Sequence, residues 1–373
     1  MTLTTRSKRM LAKDQCNFYY TLEAAATAAP NRPFLVYQGK EWTYKEFILQ
    51  VHRYGNYFLS LGVKPRGTFN HTRTYANIDH VAMDFTNKPE FMFVWLGFLS
   101  IGAVPALINF NLTSKPLIHC ITVADAKLLI FDSEIASNVE DVKEALSEAG
   151  IRSICIADNS PASANVSWTE CVSTDTLSKF SSERPPDSLR KGPVLTDMEM
   201  LMYTSGTTGL PKPAIISFNK LGAAPILFAK WARITTSDRF YTCMPLYHAT
   251  ALILGAAMMV YAQGTFVLGH KFGTQTFWPE VRESKATIIQ YVGEMCRYLH
   301  AAPPSPHDKN HSVKKAFGNG MRPDVWNRFR DRFGVETIAE LYAATGLPSM
   351  KRIIDSRGKW CAIELQFWGV WRG

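Results

Sequence analysis

The sequence predicts an α/β fold in which two mostly parallel sheets, covered by helices, form two subdomains. Three observations carry that reading. Short apolar runs alternate with amphipathic segments, the runs are continuous rather than alternating in polarity, and 46% hydrophobic with 12% aromatic residues against 20% charged supplies a large core. The same composition excludes disordered and collagen-like chains. At 373 residues there is room for roughly two to three domains or one large unit with subdomains.

From Phe91 to Phe110 the chain carries no charged residue, a length sufficient to cross a bilayer. Pro105 splits this stretch, and Gly97, Gly102 and Asn109 interrupt it. It therefore reads as a buried helix from Glu90 to Ile101 followed by a buried parallel strand from Val104 to Phe110. Leu128 to Phe131 and Ile151 to Ile156 read as strands flanking a helix at Val139 to Ala149. Ser160 to Val194, rich in Ser, Pro and Thr, reads as a loop or subdomain junction. Thr250 to Leu268 is a second apolar stretch broken by Gly255, Gln263 and Gly264, and Ala286 to Tyr291 reads as a strand before a helix at Gly293 to His300.

Lysine plus arginine, 41, against aspartate plus glutamate, 32, gives a net charge of +9. The surplus is spread along the chain rather than blocked, which points to anionic ligands or a membrane surface and away from nucleic acid. The seven cysteines, Cys16, Cys120, Cys155, Cys171, Cys243, Cys296 and Cys361, are odd in number, far apart and without a C-x-x-C pair. Neither a disulfide framework nor a zinc site is expected, and a reducing compartment is. Met1 to Cys16 has basic residues but no apolar core of a signal peptide, and the ending W-R-G is not a peroxisomal signal of the S-K-L kind. The expected location is intracellular, in the cytoplasm or peripheral on an organelle or plasma membrane.

The most informative segment is Met202 to Lys212, M-Y-T-S-G-T-T-G-L-P-K. Its glycines let backbone approach an anion, its hydroxyls and N–H groups donate to phosphate oxygens, and Lys212 adds a point charge. It is not a Walker A loop, because Pro211 rather than glycine precedes Lys212.

T-S-G-T-T-G-L-P-K resembles the phosphate-binding signature of the adenylate-forming, or AMP-binding, superfamily. Pro89 to Leu112, M-P-L-Y-H (Met244 to His248), Ile288 to Leu299 and F-G-N-G-M-R-P-D-V-W (Phe317 to Trp326) are similar to the branch of fatty acid transport proteins and very-long-chain acyl-CoA synthetases. The likeness runs from about Pro30 to Thr345. It implies the large N-terminal domain of the adenylate-forming fold and an acid–thiol ligase activity: ATP and a fatty or related carboxylic acid give acyl-adenylate and pyrophosphate, and CoA then displaces AMP. Positioning and neutralising two anions in line is the physical task.

By the same resemblance, Tyr203, Thr204, Ser205, Gly206, Thr207, Thr208, Gly209, Leu210, Pro211 and Lys212 form the ATP loop, with Lys212 on the β- and γ-phosphates. Gly318 and Asn319 fall in the adenine pocket, Tyr342 stacks on adenine and Thr345 faces the α-phosphate. Tyr247 and His248 sit at the acyl-tunnel entrance and carboxylate. Lys212, Thr345 and His248 are the implied catalytic residues; Cys296 and Arg297 read as packing residues.

Three departures from the family pattern stand out. Tyr342-Ala343-Ala344-Thr345-Gly346 replaces Y-G-x-T-E, so glycine stands where a glutamate would hold Mg²⁺, and glycine offers only backbone oxygen. No metal ligand is assigned from the sequence. The tail after Gly346 lacks the likeness, which predicts a missing small C-terminal domain, and Thr68 to His80 reads as an insert. An error of splicing or a decaying gene would account for both. The expected organisation is an extension at 1–30, a first subdomain at 31–190 with its insert at 68–80, a second at 195–346 with the nucleotide motifs, and a divergent tail at 347–373. Besides the ligase reading, the sequence supports a catalytically impaired nucleotide- or acyl-binding protein; a transporter spanning the bilayer through Phe91 to Phe110 is disfavoured by Pro105 and the glycines.

Overall fold

The computed structural model describes residues 10–64, 80–158, 166–204 and 209–341, and the backbone of three two-residue strands, Ser349–Met350, Ile353–Ile354 and Leu365–Gln366. The chain divides into two units, one of Met1–Ala28 with Lys45–Ala223, the other of Ala29–Tyr44 with Ala224–Gly373. In chain order the longer strands are β1 (Pro33–Tyr37), β2 (Lys40–Thr43), β3 (His80–Asp84), β4 (Val104–Leu107), β5 (Ala126–Asp132), β6 (Arg152–Ala157), β7 (Glu170–Ser173), β8 (Met198–Thr204), β9 (Lys212–Ser217), β10 (Arg239–Thr242), β11 (Thr265–Leu268), β12 (Ile288–Val292), β13 (Lys315–Asn319) and β14 (Thr337–Leu341).

The first unit is built on a sheet of order β7-β6-β5-β3-β4-β8-β9, parallel throughout except for the β8–β9 hairpin. Strand order reverses between β3 and β5: β4 lies on one side of β3, and the chain then crosses to β5 on the other. Such a switch point opens a crevice at the strands' C-terminal ends. The second unit carries β14-β13-β12-β10-β11-β1-β2, parallel except for the β1–β2 hairpin, with Ile353–Ile354 added antiparallel to β14. The expected α/β class with two parallel sheets is what forms.

The unit boundaries follow pairing rather than composition. β1 hydrogen-bonds to β11, which draws residues 29–44 into the second unit. β8 pairs with β4, which places residues 198–217 in the first, so the division differs from one drawn at 190–195.

The uncharged stretch after Glu90 resolves as the helix Pro89–Ser100 followed by β4. Pro89 starts the helix because its missing N–H is one that the first turn leaves unbonded anyway. Every residue of that helix except Glu90 is buried, and burying side chains such as Phe91, Trp95 and Phe98 stabilises by about 1.5–3 kcal/mol each. Among the described residues no helix is long and apolar enough to cross a membrane.

Three expectations are corrected. The helix expected at Val139 to Ala149 is two, Ala136–Glu140 and Lys143–Glu148, because the Val142 amide bonds back only to Val139 and opens the turn. Gly255 does not break its segment: residues Ala249–Ala262 run as helix with a widened π turn at Leu252–Ala257, and the break comes at Gln263, whose φ is +56°. The Ser/Pro/Thr-rich junction holds β7, an edge strand paired in parallel with β6. The insert expected at Thr68 to His80 lies outside the described residues apart from His80, which opens β3.

Asp84, the last residue of β3, is fully buried and neither carboxylate oxygen has a hydrogen-bond partner among the described residues. Burial first, and the charge of Asp132 second, push its pKa up from 3.8 to about 8. The folded state therefore holds a proton that the unfolded chain gives up, and this group's stabilisation, complete below about pH 3.8, is lost as pH rises through 8. Asp84→Asn should therefore gain stability relative to the parent chain between pH 5 and pH 8, read as the difference in urea midpoints. An identical difference at both pH values would contradict the assignment.

Candidate functional site

In the first unit the phosphate-loop segment rides on the β8–β9 hairpin. Thr204 and Lys212 are cross-strand partners at its open end, and the Thr204 hydroxyl donates to the Lys212 carbonyl at 3.4 Å. Two anchors fix the arms. The Tyr203 hydroxyl donates to the Cys120 carbonyl at 2.6 Å, and burial holds that phenol well above its ordinary pKa. His119 Nε2 lies 3.0 Å from the Pro211 carbonyl, which can only accept, so this nitrogen carries the proton. Gly209 has φ +93°, a conformation that favours glycine. Leu210 and Pro211 are half-buried, Lys212 is exposed, and among the described residues its ammonium has no ion-pair partner. Ser205, Gly206, Thr207 and Thr208 lie outside the described residues.

The same unit holds a charged cluster that the sequence reading did not single out. Lys88, just beyond β3, reaches Asp132 at 3.0 Å, Glu134 at 3.0 Å and Asp158 at 2.9 Å, and Thr86 donates to Asp132. Burial pulls the Lys88 pKa down, but Asp132 and the hydrogen bonds to Asp158 and Glu134 outweigh it and hold the ammonium charged. These residues follow the C-terminal ends of β3, β5 and β6, at the switch point. The available signal was positional: each is a polar residue that closes or shortly follows an apolar run.

In the second unit, M-P-L-Y-H runs from β10 into the helical segment at Ala249. Tyr247 is buried and its ring centroid lies 4.5 Å from that of His248. The His248 carbonyl accepts from the Ala251 and Leu252 amides, so the residue caps that helical segment. Its side chain reaches solvent, while the surrounding protein holds its pKa below that of free imidazole. Gln290, fully buried in β12, donates to the Thr250 carbonyl at 2.7 Å and braces this turn.

Gly318 and Asn319 end β13 beside Tyr291 and Val292 of β12. A side chain at Gly318 would collide with the Tyr291 carbonyl, and one at Gly293 with the Gly320 carbonyl. Backbone thus crosses backbone where the nucleotide motif was expected. Glu340 of β14 locks the arrangement: one carboxylate oxygen accepts from the Gly320 and Met321 amides, the other from the Tyr291 hydroxyl. Burial raises the Glu340 pKa against those three hydrogen bonds, and burial followed by the Glu340 charge raises that of Tyr291. Tyr342, Thr345 and Gly346 lie outside the described residues.

A Mg²⁺ site does not assemble from what is described. Both oxygens of Glu340 are committed to the latch, and no group of three His, Cys, Asp or Glu side chains among the described residues is disposed to hold a metal ion.

The first unit thus carries the hairpin that bears the predicted phosphate-loop sequence, the second the close-crossing glycines, and comparison with known proteins shows the family. The family model described as AMP-binding enzyme matches residues 22–348, and the chain belongs to that family. It is 39% identical over 345 residues to the very long-chain fatty acid transport protein of Cochliobolus heterostrophus, covering 92% of this chain and 49% of that protein. Against long-chain fatty acid transport protein 2 of Rattus norvegicus it is 36% identical over 320 residues, 86% of this chain and 49% of that protein. Isopenicillin N epimerase component 1 of Hapsidospora chrysogena is 33% identical over 344 residues, 90% of this chain and 47% of that protein. The chain spans about half the length of these curated relatives. Among solved structures, a benzoate CoA ligase from Burkholderia xenovorans LB400 superimposes with a TM-score of 0.75 at 17% identity over 92% of this chain and 64% of that one. A Mycobacterium tuberculosis fatty acyl CoA synthetase does so with 0.68 at 17% over 90% and 62%. Both show the shared fold.

Glu340→Ala removes the acceptor of two amides and a phenol, and should cost roughly 2–4 kcal/mol, whereas Tyr291→Phe should cost about 1 kcal/mol. Urea denaturation of each variant checks the order; equal losses would mean that the carboxylate does not hold the loop.

Proposed function

We propose that the chain catalyses ATP-dependent activation of a carboxylic acid as its adenylate, of the acyl-CoA synthetase type, with a long-chain or related acid as substrate and CoA as the thiol acceptor. The observation that carries this reading is the T-S-G-T-T-G-L-P-K sequence joining β8 to β9, whose described ends Thr204 and Lys212 are register partners, with Lys212 exposed and without an ion-pair partner among the described residues. The names of its fatty acid transport relatives support a fatty acid. Fatty acid uptake and peripheral contact with a membrane belong to the same proposal, as does an intracellular location.

In this reading the acid's carboxylate oxygen attacks the α-phosphorus of ATP, the bond to the bridging oxygen breaks, and pyrophosphate leaves. Coenzyme A then attacks the acyl carbon and AMP departs. Lys212 and the loop hydroxyls neutralise the leaving pyrophosphate. Gly318 and Asn319 border adenine, Tyr342 stacks on it and Thr345 faces the α-phosphate. Tyr247 and His248 meet the carboxylate; a histidine held neutral, as His248 is near pH 7, donates a hydrogen bond there without trapping the anion as a salt. No step is assigned to Mg²⁺.

A second reading, binding of nucleotide or acid without turnover, is favoured by Gly346 and by the commitment of Glu340. Mass spectrometry of the chain mixed with ATP and palmitate separates the two. Palmitoyl-adenylate supports the first; ATP bound with no adenylate formed supports the second and removes the first. Lys212→Ala should weaken ATP binding by about 10- to 100-fold, the worth of one charge-assisted contact. Calorimetry showing unchanged affinity would remove Lys212 from the site.

A further inference from the structure

Cys155 and Cys171, far apart in sequence, are register partners on the neighbouring parallel strands β6 and β7. As register partners on adjacent strands, their side chains leave the sheet on the same face. Strand pairing, not sequence spacing, brings these two free cysteines together. Adjacent strands lie about 4.8 Å apart, inside the Cα separation of roughly 4.4–6.8 Å that a disulfide spans.

The two thiols differ in a useful way. Cys171 is exposed on the edge strand, while Cys16, Cys120, Cys155, Cys243 and Cys296 are buried, so among the described residues it alone meets solvent. Burial, then the neighbouring Cys171 and the carboxylates of Asp132 and Asp158, hold the Cys155 thiol protonated. One sulfur is accessible to an oxidant and the other waits beside it.

The geometry points to a redox-active dithiol in which a hydroperoxide oxidises Cys171 and Cys155 closes a reversible β6–β7 disulfide. In the first step the Cys171 thiolate attacks the peroxide, an S–O bond forms, the O–O bond breaks, and the leaving oxygen departs as water after taking a proton. In the second, the Cys155 sulfur attacks the sulfenic acid, the S–S bond forms, the S–O bond breaks, and the Cys155 proton leaves with the hydroxyl as a second water. Two thiols are oxidised by two electrons and one peroxide is reduced. Because one sulfur is exposed, the bond is open to reduction by an external thiol. It would fasten the edge strand β7 to the sheet beside Asp158, a partner of Lys88.

The test treats the full, reduced chain with hydrogen peroxide and examines the tryptic peptide of residues 153–179, which contains both cysteines. That peptide should lose two hydrogens, about 2 Da, and cleavage after Glu170 should separate its halves only once dithiothreitol is added. In Cys155→Ser, Cys171 should stall as a sulfenic acid that dimedone captures; Cys155→Ala serves if the serine variant does not fold. In Cys171→Ser, Cys155 should remain reduced at the same peroxide dose. Capture of Cys171 by dimedone to the same extent in the parent chain as in Cys155→Ser, with the peptide keeping its hydrogens, would overturn the proposal, as would a link from Cys171 to any other cysteine.

Discussion

A parallel strand covered by helices on both faces cannot carry polar side chains along its length, since each would lose water without gaining a partner. β3, β4 and β11 are buried at every position. Charge and hydrogen-bonding capacity therefore collect where strands end, and there they are either satisfied by one another or, as at Asp84, neutralised by a proton. In the first unit this produces Lys88 among three carboxylates and the protonated Asp84. In the second it produces Glu340, whose two oxygens gather a tyrosine hydroxyl and two backbone amides. Both arrangements stiffen the rims on which ligand-binding loops are mounted.

The same constraint explains what the residues disclosed. The continuous apolar runs are the covered strands, so the fold class and the helix-to-β4 passage were legible, and the phosphate loop stood out because hydroxyls, glycines and a lysine crowd one hairpin. What stayed hidden depends on pairing between distant segments. Nothing local marks residues 33–43 as partners of β11, or Cys171 as the neighbour of Cys155. Gly255 looked like a breaker, yet its missing side chain serves close packing against Phe266 within a widened helical turn. Nothing local marks Glu340 as the acceptor of the Tyr291 hydroxyl and the Gly320 and Met321 amides.

Glu340 is held by Tyr291, Gly320 and Met321, so in the proposed reaction the charge of a triphosphate would be met by Lys212. Membership of the AMP-binding family makes a nucleotide the first ligand to test.

The proposed reaction joins a carboxylic acid to AMP from ATP, and isotope exchange tests it without requiring release of the acyl-adenylate. Labelled pyrophosphate incubated with the chain, ATP and a series of carboxylic acids should appear in ATP only when a cognate long-chain acid is present. Exchange absent for every acid, in a preparation that binds ATP, would contradict the claim.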